Sequence, residues 1–112
     1  MISDPLLAPV EAQLAAYNAQ DVDAFVACYA EDIVLEDGAG KVISTGRAAM
    51  RENYARMFAA YPQNRAEIVH RIVQGQYVVE HERISGRTPE PFFAVAVYRV
   101  EGGLIRHVRF LR

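Results

Sequence analysis

A chain of 112 residues is long enough to bury one hydrophobic core and too short for two, so residues 1–112 are read as a single domain. A content of 52% hydrophobic and 23% charged residues excludes a disordered chain, and no apolar run approaches the roughly 20 residues of a membrane helix. A formal charge of −2, with no concentrated basic patch, argues against nucleic acid as a partner.

The N-terminal "MISDPLLAP" lacks a basic region followed by a long apolar stretch, so no secretory signal is expected and the cytoplasm is the expected compartment. Val10, Leu14 and Tyr17 then recur at helical spacing after Pro9. Val22, Phe25, Val26 and Tyr29 repeat the pattern in a second predicted helix, with Asp21 placed to cap it. Cys28, the single cysteine, lies in that apolar stretch and reads as an inert buried thiol. It leaves no partner for a disulfide or a thiolate metal site. "IVLE" and "KVIS" flank "DGAG", which predicts a hairpin. A third helix carries Met50, Tyr54, Met57, Phe58 and Tyr61 on one face, starts near Gly46 and is stopped by Pro62.

Beyond Pro62 the period shortens. "RAEIVHRIV", "QYVVEHERI", "PFFAVAVYRV" and "LIRHVRFLR" read as four strands separated by "QG", "SGRTPE" and "EGG". The order α-α-β-β-α-β-β-β-β predicts an α+β domain, a curled antiparallel sheet whose concave side is capped by the three helices. Such an arrangement leaves a hollow suited to a hydrophobic small molecule.

The stretch "AAYNAQDVDAFVACYAEDIVLEDGAG", residues 15 to 40, resembles the nuclear transport factor 2-like superfamily. More narrowly, it is similar to the ketosteroid isomerase and SnoaL-like polyketide cyclase group. "STGRAAMRENY" resembles the group's glycine-led third helix and "YRVEGGLIRHVRF" its last hairpin. The resemblance implies a cystatin-like conical barrel, often a homodimer through the sheet. It leaves the reaction open, because the superfamily hosts isomerases, cyclases, hydrolases, dehydratases and non-catalytic binders.

Carried over by position, the resemblance puts Asp37 where ketosteroid isomerases keep their general base. It puts Gln13 and Ala96 where those enzymes keep the tyrosine and the protonated aspartate of the oxyanion hole. Cofactor-free proton transfer with Asp37 as base is the activity implied, without the usual hole. From the residues themselves, Asp37 before Gly38 is equally a turn acid bonded to its own backbone.

In "VVEHERI", strand alternation sets Glu80 and Glu82 on one face and His81 and Arg83 on the other. One register turns Glu82 inward beside Asp37 and the other turns His81 inward. A solvated strand end with salt bridges to Arg71 or Arg99 is the third possibility. Asn53 falls where the isomerases keep a wall aromatic, and with Gln13 it would offer neutral donors to a carbonyl oxygen. Tyr17, Tyr54 and Phe58 belong to pocket or core. Phe92, Ala94, Ala96 and Tyr98 share one strand face, where the alanines leave room for a ligand. His70, His81 and His107 lie on separate strands without metal-ligand spacing, so neither metal nor cofactor is expected. The rival to an enzyme is a ligand-binding or dimerisation module of the same fold.

Overall fold

A computed structural model describes residues 5–112. The elements are α1 (Ala8–Ala19), α2 (Val22–Val26), β1 (Tyr29–Asp37), β2 (Val42–Thr45), α3 (Arg47–Ala60), β3 (Arg65–Gln74), β4 (Tyr77–Ser85), β5 (Phe92–Glu101) and β6 (Leu104–Leu111). The order is the one the sequence predicts.

Local chemistry sets the boundaries. Pro9 occupies the first turn of α1, where its missing N–H costs nothing, and Glu11 adds a favourable charge at that end. Gln20 closes the helix in the left-handed conformation at φ 57°, its N–H bonded to the carbonyls of Ala16 and Tyr17. Asp21 caps α2 through the Ala24 N–H at 3.2 Å.

Tyr29 corrects the expected second helix. That helix ends at Val26, and Tyr29 opens β1 in register with Ile105 of β6. The Ile105 N–H bonds the Cys28 carbonyl at 3.0 Å, so sheet pairing claims the backbone that a longer helix would need. Cys28 itself is buried.

The sheet runs β2-β1-β6-β5-β4-β3, and it is mixed rather than purely antiparallel because β1 and β6 pair in parallel. No hairpin joins those two strands, so no turn in the sequence reveals their relative direction. Short β2 and long β3 form the edges, and the curled sheet does not close. The side chain of Asn18 on α1 blunts the β3 edge, accepting from the Ala66 N–H at 2.8 Å and donating to its carbonyl at 3.0 Å.

All three helices cover the concave face. The core gathers Val10, Phe25, Ile33, Met50, Val78 and Ile105, each at most 1% exposed. Tyr17, Phe25, Tyr54 and Phe58 stack against one another with ring centroids between 4.6 and 6.5 Å apart. Among the described residues, no helix is long and apolar enough to cross a membrane.

Candidate functional site

Between the concave sheet and helices α1 and α3 lies a cavity of about 190 Å³. It is smaller than the roughly 300 Å³ at which drug-sized pockets begin. Its size suits a ligand of one or two rings.

The register of β4 decides which acid enters it. Val78, Glu80, Glu82 and Ile84 point to the concave side, in line with Tyr98, Ala96, Ala94 and Phe92 of β5. His81 points the other way, stacked on His70 with centroids 6.1 Å apart and leaning on Phe93 at 5.4 Å. The alternative in which His81 faces the cavity is therefore excluded. Glu80 is fully buried but does not line the cavity. Arg71 binds its Oε2 through Nε at 2.7 Å and Nη2 at 2.6 Å. Burial nonetheless raises the Glu80 carboxyl, outweighing the Arg71 charge. The salt bridge expected for this strand exists, on the concave side.

Glu82 is the acid that lines the cavity. The small Ala94 stands beside it in register and leaves the space open. Loss of water raises its pKa to about 7; the charge of Glu80 adds to the effect and that of Arg112 opposes it. Four tyrosines feel the Glu82 charge: Tyr17, Tyr29, Tyr54 and Tyr98. Burial raises all four phenols, which leaves them neutral hydrogen-bond donors.

Two of those tyrosines are joined through Gln13, itself only 4% exposed. The Tyr29 hydroxyl donates to Gln13 Oε1 at 3.1 Å, and Gln13 Nε2 donates to the Tyr98 oxygen at 3.2 Å. Each bond polarises the next. The chain ends at Tyr98, whose own O–H has no acceptor among the described residues and whose side chain lines the cavity. Gln13, expected as a direct donor, lines the cavity as well, with its amide held between the two hydroxyls.

Asp37 stands outside. Its register with Phe110 puts it on the concave side, at the last position of β1. Its Oδ1 accepts from the N–H groups of Ala39 and Lys41, both at 2.9 Å. The carboxylate thus makes the "DGAG" turn and borders a shallower surface depression with Ile43, Phe110 and Arg112. This geometry does not aim it at the cavity, contrary to the expectation of an inward base.

Of the other expected residues, Tyr17, Tyr54, Phe92 and Asn53 line the cavity. Asn53 sits exposed at the rim, accepting from Arg56 Nη2 at 2.5 Å. Phe58 and Ala96 are buried behind the wall and do not line it. Sequence reasoning missed Tyr29, assigned to a helix face, and two cations, Arg87 and Arg112. Arg87 lay in "SGRTPE", which carries only a turn signal. No group of three or more His, Cys, Asp or Glu able to hold a metal occurs among the described residues.

Known proteins share this architecture. An uncharacterised cystatin-fold protein from Novosphingobium aromaticivorans is 36% identical, with 99% of this chain and 100% of that one covered and a TM-score of 0.87. An epoxide hydrolase of Mycobacterium tuberculosis is 22% identical over 96% of this chain and 81% of its own, with a TM-score of 0.82. A protein with a ketosteroid isomerase-like fold from Catenulispora acidiphila is 23% identical over 91% and 82%, with a TM-score of 0.75. Below 25% identity such likeness speaks to fold alone. The SnoaL-like domain family matches residues 10–108, nearly the whole chain. The chain belongs to the SnoaL-like domain family.

Proposed function

We propose that the cavity binds a small, mainly apolar carbonyl compound and moves a proton on it without a cofactor, as in an isomerisation or a related enolate reaction. The observation that carries this reading is Glu82, titrating near neutrality among neutral tyrosines. A carboxyl group with that pKa is present in both protonation states at pH 7, the condition for taking a proton from carbon and returning it. The Tyr98 hydroxyl, already polarised through Gln13 and Tyr29, would hold the carbonyl oxygen as charge develops on it. Glu82 is thus the acid/base, and Asp37 holds the turn.

Exchange of the α-protons of 2-tetralone in deuterated water, followed by NMR, tests the assignment. The wild-type protein should accelerate exchange. Glu82→Gln should remove at least about 100-fold of that acceleration, and Tyr98→Phe roughly as much. Exchange by the wild type no faster than buffer, across enolisable ketones that demonstrably bind, would leave a binding module.

The convex face supports a homodimer. Ile72, Tyr77, Phe93 and Leu111 are 62%, 45%, 52% and 40% exposed there, around the His70–His81 stack. A second copy would cover this face, with the polar groups of Glu36, His107 and Arg109 at its margin. Sedimentation should show a dimer that Phe93→Glu converts to monomer. A wild-type monomer at high concentration removes this reading.

A further inference from the structure

We infer that the ligand is an acid, an apolar ring carrying a carboxylate that Arg87 and Arg112 grip at the mouth of the cavity. The inference rests on the cavity reading above and adds the ligand's charge to it.

Both guanidinium groups line the cavity, and both lie against the same ring, Phe92, at 5.5 and 5.4 Å from its centroid. Arg87 also lies over Tyr61 at 5.9 Å. Stacking on aromatic faces leaves the N–H edges of a guanidinium free to meet a carboxylate. Six other arginines already hold carboxylates: Arg51, Arg56, Arg71, Arg99, Arg106 and Arg109. Among the described residues, neither Arg87 nor Arg112 has one. Arg87 also bonds the Tyr17 hydroxyl and Arg112 is drawn to Glu82, but two cations without a salt-bridge partner beside one aromatic ring, at the entrance to a tyrosine-lined hollow, make a site of mixed chemistry. The ring of a ligand would enter and its anionic end would stay at the rim.

The backbone fixes Arg87 where this requires it. Gly86 has φ +85°, and a Cβ built on it would lie 2.0 Å from the Gln63 carbonyl oxygen. Only glycine allows the β4–β5 connection to press so closely on the segment after α3. That contact holds the next residue over Tyr61 and Phe92. A carboxylate fits better than a phosphate, because Glu82 shares the cavity and a dianion would add more repulsion.

Titration calorimetry with 2-naphthoate, 2-naphthamide and 2-naphthyl phosphate, which share one ring system, tests the inference at low salt and neutral pH. The wild type should bind naphthoate at least about 10-fold more tightly than naphthamide, the worth of one good charge-assisted contact. The preference should shrink as salt is raised. Arg87→Met keeps the apolar stem and should remove most of the preference, weakening naphthoate binding far more than naphthamide binding. Arg112→Met, at an exposed position, should do the same in part. Equal binding of naphthoate and naphthamide overturns the acid and leaves the cavity reading standing. Tighter binding of the phosphate overturns the carboxylate in favour of a phosphate ester. Failure of all three to bind overturns both readings.

Discussion

The end of β1 and the middle of β4 each carry an acid on the concave side of the sheet, and their surroundings give them opposite characters. Asp37 is followed by a glycine turn, and two backbone N–H groups lie within 2.9 Å of one of its oxygens. Glu82 sits mid-strand between Ile68 and Ala94, next to a break in the β3 register, and no hydrogen bond to its carboxylate occurs among the described residues. Its side chain has only the cavity and the tyrosines to face. Register chooses the face of a sheet. The supply of donors and water decides what a carboxyl group there becomes. A strand-end acid before glycine is claimed by its turn, whereas a mid-strand acid under helices keeps a raised pKa because loss of water outweighs the one cation, Arg112, that favours its charge.

The largest test of that contrast is stability against pH. Glu82 titrates at about 7 in the folded protein against an ordinary value of 4.5. Between those values the unfolded chain gives up the proton while the folded protein keeps it, so this group lowers stability as pH rises from about 4.5 to 7. Above that range the penalty is constant, and below it there is none. Glu82→Gln should therefore melt at nearly the wild-type temperature at pH 4. At pH 8 it should melt higher, by an amount equivalent to at most about 3 kcal/mol. Glu36, lowered chiefly by its bond to Arg109 and also by His107, acts in the opposite sense and loses its contribution as pH falls. That contribution is common to both proteins and cancels in the difference. A melting difference independent of pH would mean that Glu82 is not held neutral by the fold.

Much of the architecture was legible because its signals are local. Pro9, Asp21, Gly46 and Pro62 punctuate the helices at the places the structure shows, and the period-2 runs after Pro62 became β3 to β6 within a residue. The parallel pairing of β1 with β6 was not legible, since it joins strands with no shared turn. Tyr29 was misplaced for a related reason: its apolar spacing continues α2, and only distant Ile105 draws it into the sheet. The site was legible in part. Alternation placed Glu80 with Glu82 against His81, but choosing the inward set required the register with β5. The separation of Glu80 from Glu82 required Arg71, a cross-strand partner from β3. Arg87 was hidden because a loop has no period, and its position depends on the close approach of Gly86 to Gln63, about a fifth of the chain away.

The smallest expected effect belongs to Asp37, and it is the one that separates a turn acid from a base. Asp37→Ala removes the acceptor for two backbone N–H groups at a half-exposed turn, which water partly replaces. A loss of about 1 kcal/mol in stability follows. Asp37→Asn keeps an acceptor oxygen and should recover most of that loss. Both variants should retain ketone exchange and naphthoate binding within a factor of about 2, because neither touches the cavity wall. A turn-maker thus shows its effect in the alanine variant and in melting alone. A base would show it equally in the asparagine variant, which is folded but unable to take a proton. If Asp37→Asn melts like the wild type yet loses exchange by orders of magnitude, the turn seen here opens when ligand enters, and the roles of the two acids are reversed.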